Sequence, residues 1–153
     1  MVEVNTDRIE KSVVLHAPIS RVWRALTNPK EFGSWFGVDL HGGFVAGAKV
    51  QGRITHKGYE HLTWEIVVER MEPEHLFSWR WHPYAIDPKV DYSTEPMTLV
   101  EIELTEVSEG TQLTIMESEF DQLWPGRKEQ AYPMNEGGWK AQMESIRRHV
   151  EGA

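Results

Sequence analysis

The clearest pattern along the chain is an alternation of hydrophobic and polar residues with a period of two. In residues 61–71, the side chains of Leu62, Trp64, Ile66 and Val68 fall on one face, and mostly polar side chains fall on the other. This period is typical of β-strands with one buried and one solvated face. The same pattern predicts strands at residues 9–15, 48–56, 61–71, 75–82, 97–105 and 111–119.

The end of the chain follows a longer period. Trp139, Met143, Ile146 and Val150 recur at intervals of four, three and four residues. This spacing places them on one stripe of an amphipathic helix. A terminal helix with one apolar face needs an apolar partner, and the inner face of the preceding strands is the only candidate.

A proline divides the segment before this stripe. Pro133 would interrupt a helix that begins near Pro125, so we expect a kink or short break there and the main helix from about Asn135. Gly137 and Gly138 lack side chains, which would let the helix approach the sheet closely or leave room for a ligand. A loose start of the helix is the alternative explanation.

Two short helices are predicted after the first strand. Pro18 suits the first turn of a helix over PISRVWRAL, and Asn28-Pro29 ends it. A second helix, PKEFGSWF, ends near Gly37. One strand, two short helices, five antiparallel strands and a long helix predict an α+β fold, with residues 1–153 forming one domain.

Several short motifs occur in the order found in a known family. They are VLHAPISRVWRALTNP, FGSWFG, the Gly42-Gly43 pair, RMEPEHLFSWRW, EGTQLTIMESEFD and NEGGWKAQMESI. The chain resembles the START-related, polyketide-cyclase-like superfamily. Within it, the chain is most similar to the group homologous to the C-terminal domain of the heat-shock-protein-ninety ATPase activator.

The resemblance implies a helix-grip fold, in which a curved antiparallel sheet wraps around the C-terminal helix and leaves a cavity between them. It implies no single function, because the superfamily includes lipid carriers, hormone receptors, cyclases and co-chaperones.

Composition narrows the range of partners. Sixteen basic and 24 acidic residues give a net charge of −8, which argues against nucleic acids and anionic membranes. The polar start is unlike a signal peptide, and no apolar run is long enough to insert into a membrane. We therefore expect a cytoplasmic protein.

The residue types present also restrict the chemistry. The chain has no cysteine, which excludes disulfides, thiolate catalysis and Cys-ligated metals. Its histidines form no HExxH motif, and His56 and His61 lack a third ligand. No metal or cofactor is expected.

Glu117 is the most informative polar residue. By strict alternation it shares a face with Leu113 and Ile115, so its side chain should point towards the helix. A carboxylate there is costly unless it is paired or solvated. It could bind a ligand or act as a general base. Alternatively, it lies at a wet end of the strand or meets a cation.

The chain contains seven tryptophans, and several fall on the predicted inner face. Together with helix residues they could form a wall suited to flat or aliphatic ligands, although ordinary core packing is the alternative. The loop at residues 83–96 could cover the cavity mouth as a lid, with Trp35 and Phe36 opposite. The candidate ligand-binding residues are Trp35, Trp64, Trp79, Trp81, Tyr84, Glu117, Phe120, Trp139 and Met143.

Three functions remain open at this point. The first hypothesis is a non-catalytic domain that binds a small apolar molecule in a cavity. The second is an interaction module that contacts a chaperone or another protein. The third is a cyclase- or hydratase-type enzyme with Glu117 as general base. An exposed edge strand could also support a homodimer.

Overall fold

The computed structural model describes residues 7–87 and 89–152. Its strands in this part of the chain form one antiparallel sheet in the order β1-β7-β6-β5-β4-β3-β2. The elements are β1 (Ile9–Leu15), α1 (Ile19–Thr27), α2 (Pro29–Phe36), β2 (Val38–Leu40), β3 (Lys49–Ile54), β4 (Thr63–Glu72), β5 (Leu76–Trp81), β6 (Thr98–Val107), β7 (Gly110–Ser118), a 3₁₀ turn (Phe120–Gln122) and α3 (Arg127–Glu151). The predicted α+β helix-grip fold is confirmed.

The alternation of polarity decides which face of the sheet is buried. Along β7, Leu113, Ile115 and Glu117 are fully buried, whereas the intervening Thr114 and Met116 are partly exposed. A period of two places alternate side chains on opposite faces. The inner face therefore forms the core, and the outer face meets solvent.

The C-terminal helix packs across this inner face. All four residues of its predicted stripe are buried, and α3 contacts β1, α1 and α2. The predicted stripe is thus confirmed, and burial of its apolar surface supplies the main driving force that holds the helix on the sheet.

Two elements differ from the sequence prediction. The three-residue strand β2 was not predicted, because an alternation needs more positions than Val38–Leu40 provides. The expected break at Pro133 is absent from the helix, since α3 begins at Arg127 and continues past this proline. The segment before Pro133 is held by its packing, which the local rule for proline does not consider.

The glycines of α3 do not bring the helix closer to the sheet. Gly137 and Gly138 are exposed, and a Cβ atom placed on either would meet no other atom within 4 Å. The expectation of a close approach was wrong, because both positions face open space and not the sheet.

One glycine is required for the position of α2. Gly37 ends this helix with φ 95°, and its N–H donates to the Gly33 carbonyl at 2.9 Å. L-residues rarely adopt this conformation. A Cβ atom at Gly37 would also lie 2.2 Å from the His56 ring. The residue before this turn, Phe36, lies in the core on the inner face of the sheet.

Candidate ligand-binding site

A buried carboxylate lies on the inner face of the sheet, near the end of β7. Glu117 has no exposed surface, and its strand neighbours in register are Ile9 on β1 and Val100 on β6. Val100 is in turn paired with Trp79 on β5. These three neighbours are buried and apolar, so Glu117 is the polar exception in a hydrophobic row. The predicted inward orientation of its side chain is confirmed.

Four neutral side chains donate hydrogen bonds to this carboxylate. Trp139 Nε1 donates to Oε1 at 2.8 Å, and Trp81 Nε1 donates to Oε2 at 2.8 Å. Thr98 Oγ1 donates to Oε2 at 2.6 Å. Asn135 Nδ2 lies 2.9 Å from Oε1 and 3.1 Å from Oε2. Both carboxylate oxygens are therefore fully engaged. We call Glu117 and its four donors the carboxylate network.

The network contains no cation. Among the described residues, no Lys, Arg or His forms an ion pair with Glu117. The Glu117 side chain is also excluded from solvent. It therefore neither lies at a wet end of the strand nor meets a cation, the two structural alternatives considered from the sequence. Neutral donors satisfy the hydrogen-bonding capacity of the carboxylate but do not cancel its charge.

The network orients two indoles within a larger aromatic cluster. The ring centroids of Trp81 and Trp139 are 5.8 Å apart, and those of Trp79 and Trp81 are 5.6 Å apart. Trp64 lies 6.3 Å from Trp81. These rings pack against one another, as expected for ordinary core packing, the alternative considered from the sequence. Aromatic pairs at these separations also stabilise the core.

A small cavity borders the network. Its volume is about 100 Å³. The lining residues are Phe36, Trp81, Asn135, Gly138, Trp139 and Gln142. Three of them belong to the carboxylate network, so the network forms part of the cavity wall.

A larger cleft adjoins the cavity. Its volume is about 540 Å³, and Phe36, Trp81 and Asn135 line both spaces. The cleft lies between the first residues of β4, the loop after β5 and the part of α3 that contains Met134 and Asn135. Other lining residues include Trp64, His61, Glu65, His82, Asp87, Val90 and Met134.

The predicted 83–96 loop forms one wall of this cleft, and an ion pair holds it. Arg127 at the start of α3 donates to both carboxylate oxygens of Glu95, at 2.7 and 2.9 Å. The Arg127 guanidinium also lies 5.5 Å from the Tyr84 ring centroid and 4.8 Å from that of Tyr92. The hydrogen bond with Glu95 raises the pKa of Arg127. The loop is thus attached to α3.

The candidate residues named from the sequence occupy three kinds of position. Trp81, Trp139 and Glu117 meet in the carboxylate network, and Trp64 lines the cleft. Trp79 and Met143 are buried in the core cluster.

The remaining three candidates lie away from the cavity wall. The Trp35 indole donates to the Ala25 carbonyl at 2.8 Å. Phe120 packs against Tyr132 with ring centroids 5.1 Å apart. Tyr84 contacts Arg127. Of the proposed entrance pair, Phe36 lines the cleft and Trp35 instead ties α2 to α1.

Sequence reasoning missed two members of the network. Asn135 precedes Trp139 by four residues, so both lie on one helix face. A polar residue one turn before the apolar stripe was the available signal. Thr98 opposes Trp81 across the strand pair β5–β6, but this register was unknown from the sequence. Arg127 and Glu95 were missed for the same reason.

The geometry suits the holding of indoles more than proton transfer. A general base needs a lone pair within reach of its substrate, yet both oxygens of Glu117 already accept hydrogen bonds and the residue has no exposed surface. Within residues 7–87 and 89–152, no three His, Asp or Glu side chains are grouped as metal ligands. None of the described helices has the length and apolarity needed to cross a bilayer.

Comparisons with known proteins agree with this architecture. A family model described as Activator of Hsp90 ATPase homolog 1-like protein matches residues 16–151. Comparison with curated proteins gave no match.

Several solved structures share the fold. Protein MLL2253 from Mesorhizobium loti is 21% identical, with coverage of 94% of this chain and 96% of that chain and a TM-score of 0.74. DynU16, from the dynemicin biosynthetic locus, is 25% identical over 95% of this chain and 48% of its own, with a TM-score of 0.74. The Aha1 dimer from Colwellia psychrerythraea is 16% identical over 95% and 96% of the two chains, with a TM-score of 0.71.

Proposed function

The chain belongs to the family of Activator of Hsp90 ATPase homolog 1-like proteins, and from this premise we propose that it is a non-catalytic domain that binds a small, mostly apolar molecule. The ligand would lie between the sheet and α3, with Trp64, Trp81 and Trp139 as its aromatic contacts. Glu117 would act as a positioning residue that holds two of these indoles. A cytoplasmic location remains a prediction.

One observation carries this proposal. The 100 Å³ cavity and the 540 Å³ cleft share Phe36, Trp81 and Asn135 as lining residues. Ligand sites are concave, mostly apolar and equipped with a few placed polar groups. The two adjoining spaces, with aromatic rings and the Asn135 side-chain amide at their junction, match this description.

Native mass spectrometry of freshly purified protein provides the first test. We expect a noncovalent adduct that disappears on denaturation, and re-addition of the identified compound should raise the melting temperature by mass action. The same spectrum reports whether the chain is a homodimer, which we propose by analogy with the Colwellia Aha1 dimer.

Binding of a fluorescent probe tests the site directly. The neutral fluorophore N-phenyl-1-naphthylamine should bind and quench tryptophan emission. Thr63 is exposed and lines the cleft, so Thr63→Trp should fill it and weaken probe binding about tenfold, equivalent to about 1.4 kcal/mol. The control, Thr105→Trp, also changes an exposed strand threonine. Equal effects of the two variants, or no probe binding to the parent protein, would contradict the proposal.

A second candidate rests on the family match itself. The matching family is named for an activator of the Hsp90 ATPase, so the chain could contact a chaperone. We expect an increased Hsp90 ATPase rate on addition of the protein if this candidate is correct. An unchanged rate at saturating protein would remove it and leave the ligand-binding proposal intact.

A further inference from the structure

The wall of the small cavity is uncharged, but a buried charge lies directly behind it. All six lining residues are neutral. Three of them, Trp81, Asn135 and Trp139, donate hydrogen bonds to Glu117. Among the described residues, no Lys, Arg or His forms an ion pair with this carboxylate. The cavity therefore borders a negative charge that no cation cancels.

The two amides of this wall have fixed orientations. Asn135 Nδ2 donates to both oxygens of Glu117, and Gln142 Nε2 donates to the Phe36 carbonyl at 2.9 Å. A carboxylate and a backbone carbonyl only accept hydrogen bonds, so each amide must direct its nitrogen towards them. The carbonyl oxygen of each amide is the end left for a ligand, and it is an acceptor.

The side-chain oxygen of Asn135 is an acceptor that a ligand can reach. Asn135 is 8% exposed and lines both the cavity and the cleft, and no described residue donates a hydrogen bond to its Oδ1. The fully enclosed side-chain atoms that lack a partner in the described part of the chain are Trp64 Nε1, Ser78 Oγ and Trp79 Nε1. Asn135 Oδ1 is not one of them, so it borders open space. An unpaired acceptor in a buried side chain favours a ligand that brings a donor.

The cavity, and not the cleft, distinguishes ligands by charge. The cleft wall holds groups of both signs, because Glu65 has Lys49 at 3.9 Å and two histidines, His61 and His82, also line it. An anion in the cavity would lie close to the Glu117 charge, where burial limits screening. It would also meet the amide oxygens, which cannot donate to it.

We infer that Glu117 and Asn135 make the small cavity select the hydroxyl end of a neutral, apolar ligand and reject an ionised carboxylate. This inference rests on the proposed function and specifies its ligand class. The hydroxyl would donate to Asn135 Oδ1. The cavity of about 100 Å³ is smaller than the roughly 150 Å³ that holds a benzene ring. It therefore takes the hydroxyl and its carbon, while the apolar body of the ligand lies in the cleft.

Three probes with one skeleton test the selection. 1-(2-Naphthyl)ethanol donates a hydrogen bond, 2-acetylnaphthalene only accepts, and 2-naphthoate is an anion at pH 7. Displacement of N-phenyl-1-naphthylamine gives the three dissociation constants. We expect the alcohol to bind about fivefold more tightly than the ketone and at least about tenfold more tightly than the carboxylate. Equal or tighter binding of the ketone or the carboxylate would overturn the inference.

Adjacent glycines provide matched variants that locate the hydroxyl. Gly138 lines the cavity and Gly137 does not, yet both are exposed on α3 and both have open space at the Cβ position. Replacing either glycine with leucine raises helix propensity, so both variants should fold. Gly138→Leu should weaken binding of the alcohol at least about tenfold, whereas Gly137→Leu should keep it. Equal affinities of the two variants would contradict the assigned site.

The role of the buried charge has its own test. Glu117→Gln should reduce the preference for the alcohol over the carboxylate at least about threefold, whereas Glu103→Gln should keep the preference of the parent protein. A merely structural role of Glu117 would weaken both probes equally and leave their ratio unchanged, which would contradict the inference. The dispersion of the NMR spectrum shows whether Glu117→Gln is folded. If it is not, the three constants of the parent protein decide.

The outcomes separate this inference from the proposed function. If N-phenyl-1-naphthylamine binds and the three probes do not follow the expected order, the hydroxyl selection fails and the binding domain stands. If no probe binds, both fail.

Discussion

Glu117 illustrates how a buried charge depends on the chemistry of its neighbours. Each of its oxygens accepts from at least one indole, and the whole side chain is excluded from solvent. The donors come from β5, β6 and α3, so one carboxylate links the sheet to the helix. Such a network is stabilising only while every member keeps its partner.

Replacement of this carboxylate by an amide should therefore be costly. In Glu117→Gln, an NH₂ group replaces one of the two carboxylate oxygens. Each oxygen position faces N–H or O–H donors, so the new NH₂ group meets donors at either position. We expect a loss of about 3 kcal/mol in the free energy of unfolding, since buried donors are left unsatisfied. Urea unfolding with an unchanged m-value measures this loss.

The exposed Glu103 on β6 is the matched control. Glu103→Gln should change the free energy of unfolding by no more than about 0.5 kcal/mol. A similarly small effect of Glu117→Gln would show that the carboxylate network contributes little.

At the scale of elements, α3 contributes to both the core and the cleft wall. Its stripe packs on the sheet, its Asn135 and Trp139 bind Glu117, and its first residue, Arg127, holds the 83–96 loop. The Arg127–Glu95 pair is well shielded, with side-chain exposures of 18% and 5%. Removal of one partner would leave a buried charge, which is far more costly than loss of a surface pair.

Arg127→Met should therefore loosen the loop. We expect a loss of about 3 kcal/mol in the free energy of unfolding and faster amide hydrogen exchange across the described part of residues 83–96. Arg147→Met is the control on the same helix. Arg147 pairs with Glu144 and Glu151 and is 43% exposed, so its removal should cost no more than about 1 kcal/mol. Unchanged exchange in Arg127→Met would contradict the role of this pair.

At the scale of the whole molecule, electrostatics link the three helices. Glu31 on α2 accepts hydrogen bonds from Arg21 and Arg24 on α1 and from His149 on α3. Burial by itself raises the pKa of Glu31. The hydrogen bonds from these three donors outweigh burial and hold the pKa of this carboxyl below its usual 4.5.

The lowered pKa of Glu31 predicts part of the loss of stability at acidic pH. A carboxyl with a lower pKa in the folded state stabilises the fold above its unfolded pKa, and this contribution is lost as pH falls through the folded pKa. The free energy of unfolding should fall as pH drops below about 4.5, and less steeply in Glu31→Gln. Chemical unfolding measured from pH 7 to pH 3 checks this, and equal pH dependence in both proteins would contradict it.

Much of this architecture was predictable because it depends on local periodicity. The strand alternation identifies Leu113, Ile115 and Glu117 as inward-facing, and the helical stripe identifies the face of α3 that is buried. Both patterns follow from the geometry of a single element, so they need no knowledge of its neighbours.

The tertiary structure alone decided which distant residues meet. Thr98 reaches Glu117 through the register of β5, β6 and β7, and Arg127 reaches Glu95 across 32 positions of sequence. The continuity of α3 through Pro133 likewise depends on packing against other elements. The sequence by itself determined the fold class and the inward carboxylate, because local geometry is encoded over a few residues. The donors to Glu117, the cavity and the attachment of the 83–96 loop to α3 depend on strand register and helix placement. Many distant contacts together determine that register and placement.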